Sequence, residues 1–399
     1  MSEKNKAYYF KQPRFYSSFH CTGEKCLVNC CFNWATIGWT EKEYQKLICS
    51  EMSQKFKEKI DKAFVASSDK KTNEIFPYII KYNQHGQCPM LTNEGLCSIQ
   101  KELGEDYLSH TCRAYPRIIL YGGTAQNVRT CFISCTHVME ILCSEDDSME
   151  LVETSVHSVE RAKHASNINN KIFDKYPQVK HTDKLFDFFY ELLSDKSHSI
   201  ETSMILGAMA AQKLDELIAK GQAEKIPEIL NALKPQIDNP SQIEKLENVK
   251  PNLSLKANFA AAILQSNKEF NTLDKYVFEN NKPSEEKWQK GTEEFNKRYK
   301  PFALRNVALN IYISGAMPFH DLSFSLYDNF RYYVSEYALI KYLAVTCSLK
   351  FESEMKSFEI AAAYADRGFT HVKEAINRNL AIMDKYNITS PAYLMGILK

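Results

Sequence analysis

Apolar residues recur three or four positions apart through most of the second half of the chain, which is the spacing of one helix face. Two such stripes are Leu185, Phe186, Phe189, Leu192 and Leu193, and then Met204, Ile205, Met209 and Leu214. From about residue 150 onward the pattern is almost purely helical. It predicts an α-helical bundle.

The first 145 residues or so are less regular and rich in turn signals. A helix is predicted from Thr40 to Val65, because Thr40 and Glu43 have the spacing of a capping box before an apolar stripe. Ile118–Leu120 and Gln126–Cys131 flank Gly122-Gly123 and predict a short β-hairpin, the only sheet we expect.

The predicted fold is therefore mainly α: an irregular, cysteine-rich N-terminal domain with a small hairpin, followed by a helical bundle. We place the domains at residues 1–148 and 149–399. The segment 234–252 contains Pro235, Pro240 and Pro251 and is interpreted as connecting structure between helical blocks.

Composition excludes several classes of function. The 399 residues carry 50 Lys and Arg against 49 Asp and Glu, so the net charge of +1 gives no argument for binding nucleic acid or an anionic membrane. Neither GxGxxG nor GxxxxGK[ST] occurs. The N-terminus lacks a secretory pattern, and Lys341 interrupts the best apolar stretch, so we expect a cytoplasmic protein without a membrane span.

Cysteines are concentrated near the N-terminus: 11 of the 12 lie between Cys21 and Cys143. In a reducing compartment such a group indicates metal ligands rather than disulfides. No C-x2-C zinc knuckle occurs, and iron-sulfur ligation tolerates more varied spacing, so spacing favours iron-sulfur while zinc stays open. The candidate ligands are Cys21, Cys26, Cys30, Cys31, Cys88, Cys97, Cys112 and Cys135, whereas Cys49, Cys143 and Cys347 are interpreted as packing residues.

Three N-terminal stretches carry a family resemblance. They read FHCTGEKCLVNCCFNW from Phe19, CPMLTNEGLCSIQKELGE from Cys88 and LSHTCRAYPR from Leu108, and a weaker match reads LRNVALNIY from Leu304. This pattern resembles the bacterial flagellin lysine-N-methylases, whose N-terminal part is similar to zinc- or iron-chelating cysteine-rich proteins. Asn33 departs from the family's glycine, and Thr136-His137 replaces its Pro-Glu.

The resemblance implies a protein-lysine N-methyltransferase that uses S-adenosylmethionine, modifies flagellin and contains a 4Fe-4S cluster in its cysteine-rich part. The alternative is a non-catalytic adaptor, in which a zinc-binding part is joined to a helical domain that docks a partner protein.

Methyl transfer to lysine requires the neutral amine, so the site must remove a proton. Beside Cys112, the side chains of Arg113, Tyr115 and Arg117 would orient the cofactor carboxylate or tune the cluster. His137 is the candidate replacement for the family's carboxylate. The resemblance also points to three residues of the C-terminal half, Asn306 and Arg367 for cofactor binding and His371 for catalysis. Ordinary ion pairs and packing contacts are the alternative for each of these residues.

Overall fold

The structure is a computed structural model that describes residues 8–32, 37–68, 74–84, 86–120, 127–156, 170–265, 278–279, 282–350, 357–370 and 374–399. Its contacts divide the chain into two compact units. The cysteine-rich unit comprises residues 19–118 and 135–137, and the helical unit comprises residues 1–18, 119–134 and 138–399.

Within these described ranges there are nine β-strands, seventeen α-helices and five short 3₁₀ helices. The strands are β1 (Tyr8–Pro13), β2 (Gly38–Trp39), β3 (Phe64–Ala66), β4 (Tyr78–Ile80), β5 (Arg117–Leu120), β6 (Val128–Cys131), β7 (Leu151–Val156), β8 (Phe278–Glu279) and β9 (Lys282–Pro283). The 3₁₀ helices are Arg14–Ser17, Gly23–Lys25, Glu105–Tyr107, Pro177–His181 and Ala223–Lys225.

The α-helices confirm a mainly α fold. In chain order they are α1 (Glu41–Ile48), α2 (Gln54–Ala63), α3 (Ser98–Leu103), α4 (His110–Ala114), α5 (Thr136–Ser144), α6 (Asn170–Lys175), α7 (Thr182–Ser194), α8 (Ile200–Ala219), α9 (Ile226–Ile237), α10 (Pro240–Glu247), α11 (Leu253–Gln265), α12 (Glu285–Arg298), α13 (Phe302–Ser314), α14 (Leu326–Lys350), α15 (Ser357–Thr370), α16 (Ala375–Lys385) and α17 (Pro391–Leu398).

The cysteine-rich unit has a small core built on the antiparallel sheet β2-β4-β3. Trp39, Leu47 and Phe56 are among its buried side chains. The capping box of Thr40 is confirmed, but the prediction of one helix from Thr40 to Val65 is wrong. Helix α1 ends at Ile48, and the Ser53 hydroxyl accepts a hydrogen bond from Phe56 N to start α2. A serine at this position caps a new helix rather than continuing the old one.

In the helical unit, β5 and β6 are neighbours, as the predicted hairpin requires, while its Gly122-Gly123 turn lies outside the described residues. The expectation that this is the only sheet is wrong. Strand β1 pairs with β6 in parallel and with β7 antiparallel, in a four-stranded order β5-β6-β1-β7. The pairing of β1 with β7 joins segments about 140 residues apart, which no local pattern reveals.

Helix α14 forms the centre of the bundle and contacts α8, α11, α12, α13, α15, α16 and α17. Because it is buried on nearly every side, its polar groups need internal partners. The Tyr333 hydroxyl donates to Ala308 O at 3.1 Å, and the carboxylate of Asp215 accepts from the backbone N–H of Leu326 and Tyr327 at the helix start.

The segment 234–252, for which we expected connecting structure, contains the end of α9 and the whole of α10. Pro240 is the first residue of α10, where its missing N–H removes no hydrogen bond, and the Asn239 side chain caps the same helix. Within the part of the chain that the structure describes, no helix combines the length and apolar composition needed to span a membrane.

Candidate functional site

Five cysteine side chains of the cysteine-rich unit line one cavity of about 80 Å³, which we call the thiol cavity. One water molecule needs about 10–15 Å³ of such space, so the thiols surround a volume of several waters, although Cys31 is also hydrogen-bonded to Cys30 and Cys88. The rest of the lining is largely apolar or aromatic. The five cysteines, from four segments of the chain, are Cys30, Cys31, Cys88, Cys97 and Cys112.

Hydrogen bonds between loops fix the segments that carry these thiols. Asn29 Nδ2 donates to Gly95 O at 2.6 Å, and Asn29 Oδ1 accepts from the backbone N of Cys31 at 2.9 Å. The backbone N of Cys88 donates to Cys31 O at 2.8 Å. One asparagine and one backbone bond therefore hold three loops around the cavity.

Two short helices supply the remaining thiols. Cys97 is the N-cap residue of α3, and Cys112 lies in the first turn of α4, where its backbone N donates to Ser109 Oγ at 3.2 Å. Burial raises the pKa of the Cys97 thiol, and hydrogen bonds from the backbone N–H groups of Gln100 and Ile99 oppose that shift. The pKa of Cys112 rises to about 12, mainly because the thiol is buried.

Cys31 and Cys88 share a hydrogen bond that moves their pKa values in opposite directions. Hydrogen bonding to Cys30 and Cys88 raises the pKa of Cys31, while the hydrogen bond from Cys31 lowers the pKa of Cys88. Cys88 is therefore the favoured thiolate of the pair. None of the twelve cysteines forms a disulfide bond.

Tyr82 is a residue of this cavity that the sequence analysis missed. Its hydroxyl is buried and has no hydrogen-bond partner among the described residues. Burial raises its pKa, and negative charge on Cys88 and Cys112 adds to the shift. Tyr82 follows Ile80 by two positions at the end of β4, and both line the cavity, so strand periodicity was the available signal.

Three other predicted ligands do not line the thiol cavity. Cys21 is exposed, and its sulfur accepts a hydrogen bond from Gly23 N at 3.4 Å. The Cys26 thiol donates to Val28 O at 3.2 Å and lies 3.9 Å from Thr136 Oγ1. Cys135 is half-buried. The eight predicted ligands thus separate into a group of five and a group of three.

Tyr115 lines the thiol cavity, whereas Arg113 faces an acidic partner. Arg113 Nη2 lies 3.9 Å from Glu43 Oε1. The same carboxylate accepts from His110 N at 2.6 Å and closes the capping box of Thr40. Arg113 thus contributes to the junction between α1 and α4.

Arg117 and His137 both contact Phe19, and we call these three residues the Phe19 cluster. Arg117 Nη2 donates to Phe19 O at 2.7 Å, and its guanidinium carbon lies 5.1 Å from the centroid of the Phe19 ring. The His137 and Phe19 rings are 5.6 Å apart. The charge of Arg117 also acts on Cys21, whose pKa is nevertheless raised by burial.

The predicted residues of the C-terminal half lie in the helical unit. Asn306 is buried on α13, where Nδ2 donates to Leu142 O, Glu145 O and Ser148 Oγ at 2.8–3.1 Å. It therefore satisfies backbone carbonyls at the end of α5. Arg367 lies on α15 with its guanidinium 5.2 Å from the ring of Tyr364. His371 lies outside the described residues.

Fold and site together describe a mainly α protein with a thiol-lined cavity in a separate cysteine-rich unit. Residues 186–397 match the family model described as the FliB lysine N-methylase C-terminal domain. The match covers more than half of the chain, so the chain belongs to the FliB lysine N-methylase family, and the resemblance inferred from the sequence is confirmed.

Individual relatives agree with this assignment. The chain is 26% identical over 269 residues to proteins named lysine-N-methylase from Salmonella typhimurium and Salmonella choleraesuis, an alignment that covers 66% of this chain and 61% of each relative. It is 30% identical over 154 residues to the flagellar biosynthetic protein FliU of Salmonella muenchen, covering 38% of this chain and 88% of that one. No solved structure matches.

Proposed function

We propose that this chain is an S-adenosylmethionine-dependent protein-lysine N-methyltransferase that acts on flagellin and contains a 4Fe-4S cluster. The observation that carries the proposal is the match of residues 186–397 to the lysine N-methylase family. The names of its relatives, lysine-N-methylase and a flagellar biosynthetic protein, support a lysine acceptor on a flagellar protein.

The thiol cavity fits a cluster better than a single ion. Among the described residues, no three His, Cys, Asp or Glu side chains are arranged to hold one metal ion. A 4Fe-4S cluster bonds each of four thiolates to a different iron, so its ligands stand around a volume rather than a point. The thiol cavity offers five thiols around a volume that could hold several water molecules, one thiol more than the four ligands that a cluster needs.

We assign one cluster ligand to each of the four segments: Cys88, Cys97, Cys112 and one of the adjacent pair Cys30 and Cys31. When bound, the cluster would supply an iron centre and would also stabilise the cysteine-rich unit by joining the loops that carry its ligands. Tyr115, in the same lining, would limit the access of water to this centre.

The Phe19 cluster is the proposed site of proton removal. The acceptor lysine arrives as an ammonium group and must lose a proton before methyl transfer. The buried Phe19 ring supports the half-buried His137 ring that packs against it, and an imidazole nitrogen of His137 would accept the proton. Arg117, bonded to the Phe19 carbonyl, keeps a positive charge beside this position and would pair with a carboxylate of the cofactor.

The test is a methylation assay under anaerobic conditions with purified flagellin and S-adenosylmethionine that carries a deuterated methyl group. We expect flagellin lysines to gain whole labelled methyl groups, and Cys112→Ser to abolish the gain. Cys49→Ser is the matched control, because Cys49 is exposed and does not line the cavity. Unlabelled flagellin with the wild-type protein, together with a colourless preparation that contains zinc, would instead support the adaptor.

A further inference from the structure

The helical unit contains a second and larger cavity, of about 560 Å³. Its wall is formed by the starts of α8 and α13, the end of α12 and the middle of α14. The volume falls within the range of small-molecule sites, about 300–1,000 Å³.

The wall of this cavity carries more positive than negative charge. Its cations are Lys196, Lys300, Arg305 and Lys341, and its carboxylates are Asp146 and Glu201. Lys196 pairs with Asp146 at 2.7 Å, and Lys341 pairs with Glu201 at 2.8 Å. In the described part of the chain, no carboxylate lies within ion-pair distance of Lys300 or Arg305, although the charges of Glu201 and Asp195 act on Arg305 from farther away.

Arg305 is the more informative of these two cations because only 7% of it is exposed. Its terminal nitrogens donate to the carbonyl oxygens of Leu193 and His198, which hold the guanidinium in place without neutralising it. A buried cation without a counter-ion in direct contact is unfavourable. An anion in the cavity would remove this penalty.

The start of α13 adds a second attraction for an anion. This helix has thirteen residues, no side-chain cap and no acidic residue in its first turn, so the partial positive charge of its N-terminus is uncompensated. The start of α8 is different, because Ser199 caps it and the Glu247 carboxylate accepts hydrogen bonds from the Ser199 backbone and hydroxyl at 2.8 Å.

Apolar side chains complete the lining. Phe295, Phe302 and Val345 face the same cavity as the two cations. We propose that this cavity binds a small organic oxyanion, a carboxylate or a phosphate monoester, with the anionic group next to Arg305 and Lys300 and an apolar body against the two phenylalanines. This site is separate from the thiol cavity, and the proposal does not depend on methyl transfer.

Isothermal titration calorimetry of the full chain at low salt tests the proposal with three probes. Phenyl phosphate and benzoate share an aromatic body and differ in the anion, whereas inorganic phosphate lacks the body. We expect one of the two aromatic anions to bind, and to bind more tightly than inorganic phosphate.

Lys300→Ala should weaken the binding about tenfold, because it removes a charge-assisted contact. Lys297→Ala is the matched control: Lys297 lies three residues earlier, is exposed and does not line the cavity, so we expect less than a twofold change. Arg305→Met should abolish binding, with circular dichroism to confirm that the variant is folded. The absence of binding by all three probes, or equal affinity in Lys300→Ala and Lys297→Ala, would overturn the proposal.

Discussion

The replacement Lys341→Met removes the only ion-pair partner described for Glu201. It tests whether a buried network of charges and hydrogen bonds stabilises residues 186–397, the part that matches the family model. Lys341 Nζ donates to Glu201 Oε1 and to Leu398 O, each at 2.8 Å, and the Tyr337 hydroxyl donates to the same carboxylate oxygen at 2.5 Å. Burial alone would raise the pKa of Glu201, but the charge of Lys341 and these hydrogen bonds hold it at about 2.

The size of the effect follows from this pKa. Lowering the pKa of Glu201 from 4.5 to about 2 corresponds to about 3 kcal/mol of stability at neutral pH, since one pKa unit is worth about 1.4 kcal/mol. Because the native pKa is depressed, this stability is present above pH 4.5 and is lost as the pH falls towards 2. Lys341→Met should cost about 3–5 kcal/mol at pH 7, since it removes the ion-pair partner of a buried carboxylate.

Urea unfolding followed by circular dichroism measures this loss. The difference between the wild type and Lys341→Met should shrink as the pH is lowered, because Glu201 in the variant can bind a proton. The double variant Glu201→Gln/Lys341→Met should recover part of the stability. Lys234→Met is the control: its ion pair with Glu191 is exposed and is worth less than about 1 kcal/mol. A loss below 1 kcal/mol at pH 7 in Lys341→Met would refute this reasoning.

Three further variants probe other features. Cys97→Ser should lower the iron content of anaerobically purified protein, measured by elemental analysis, while Cys49→Ser should leave it unchanged. Tyr82→Phe should retain the iron but lower the reduction potential in a spectroscopic redox titration, because it removes a hydroxyl donor beside the thiols. Burial beside Asp366 raises the pKa of Glu336 well above its usual range, so the wild type loses stability as the pH rises above about 4.3. Between pH 5 and pH 8, the free energy of unfolding measured in urea should fall less in Glu336→Gln than in the wild type. An equal fall in both proteins would contradict this.

Local signals in the sequence were sufficient to predict many helices. They failed where a strand or a helix end depends on contacts with distant segments of the chain. The capping box of Thr40 was predictable because its hydrogen bonds join residues three apart. The end of α1 was not predictable, because a serine at position 53 is compatible both with the surface of one longer helix and with the cap of a second helix. Strands β1 and β7 were missed because a lone six-residue strand acquires its register only from a partner far along the chain.

The sequence indicated that cysteines form the candidate site, but not which of the cysteines lie together. The cysteine spacing indicated metal ligation, yet it did not separate the five thiols of the cavity from Cys21, Cys26 and Cys135, because loops held by Asn29 determine which sulfurs meet. Asn306 and Asn310 are four positions apart, a spacing that places both on one helix face and suggested a binding site. In the structure the amide of Asn306 instead donates to the backbone at the end of α5. The charge imbalance around Arg305 arises from residues of three helices and of the loops between helices, so no single stretch of the sequence shows it.

The iron and acid-labile sulfide content of protein purified without oxygen tests the central claim most directly. With the thiol cavity holding a 4Fe-4S cluster, we expect about four irons and four sulfides per chain, and substantial loss of both after Cys97→Ser or Cys112→Ser. Stoichiometric zinc without sulfide, or iron and sulfide that persist when all five cavity cysteines are replaced by serine, would contradict it.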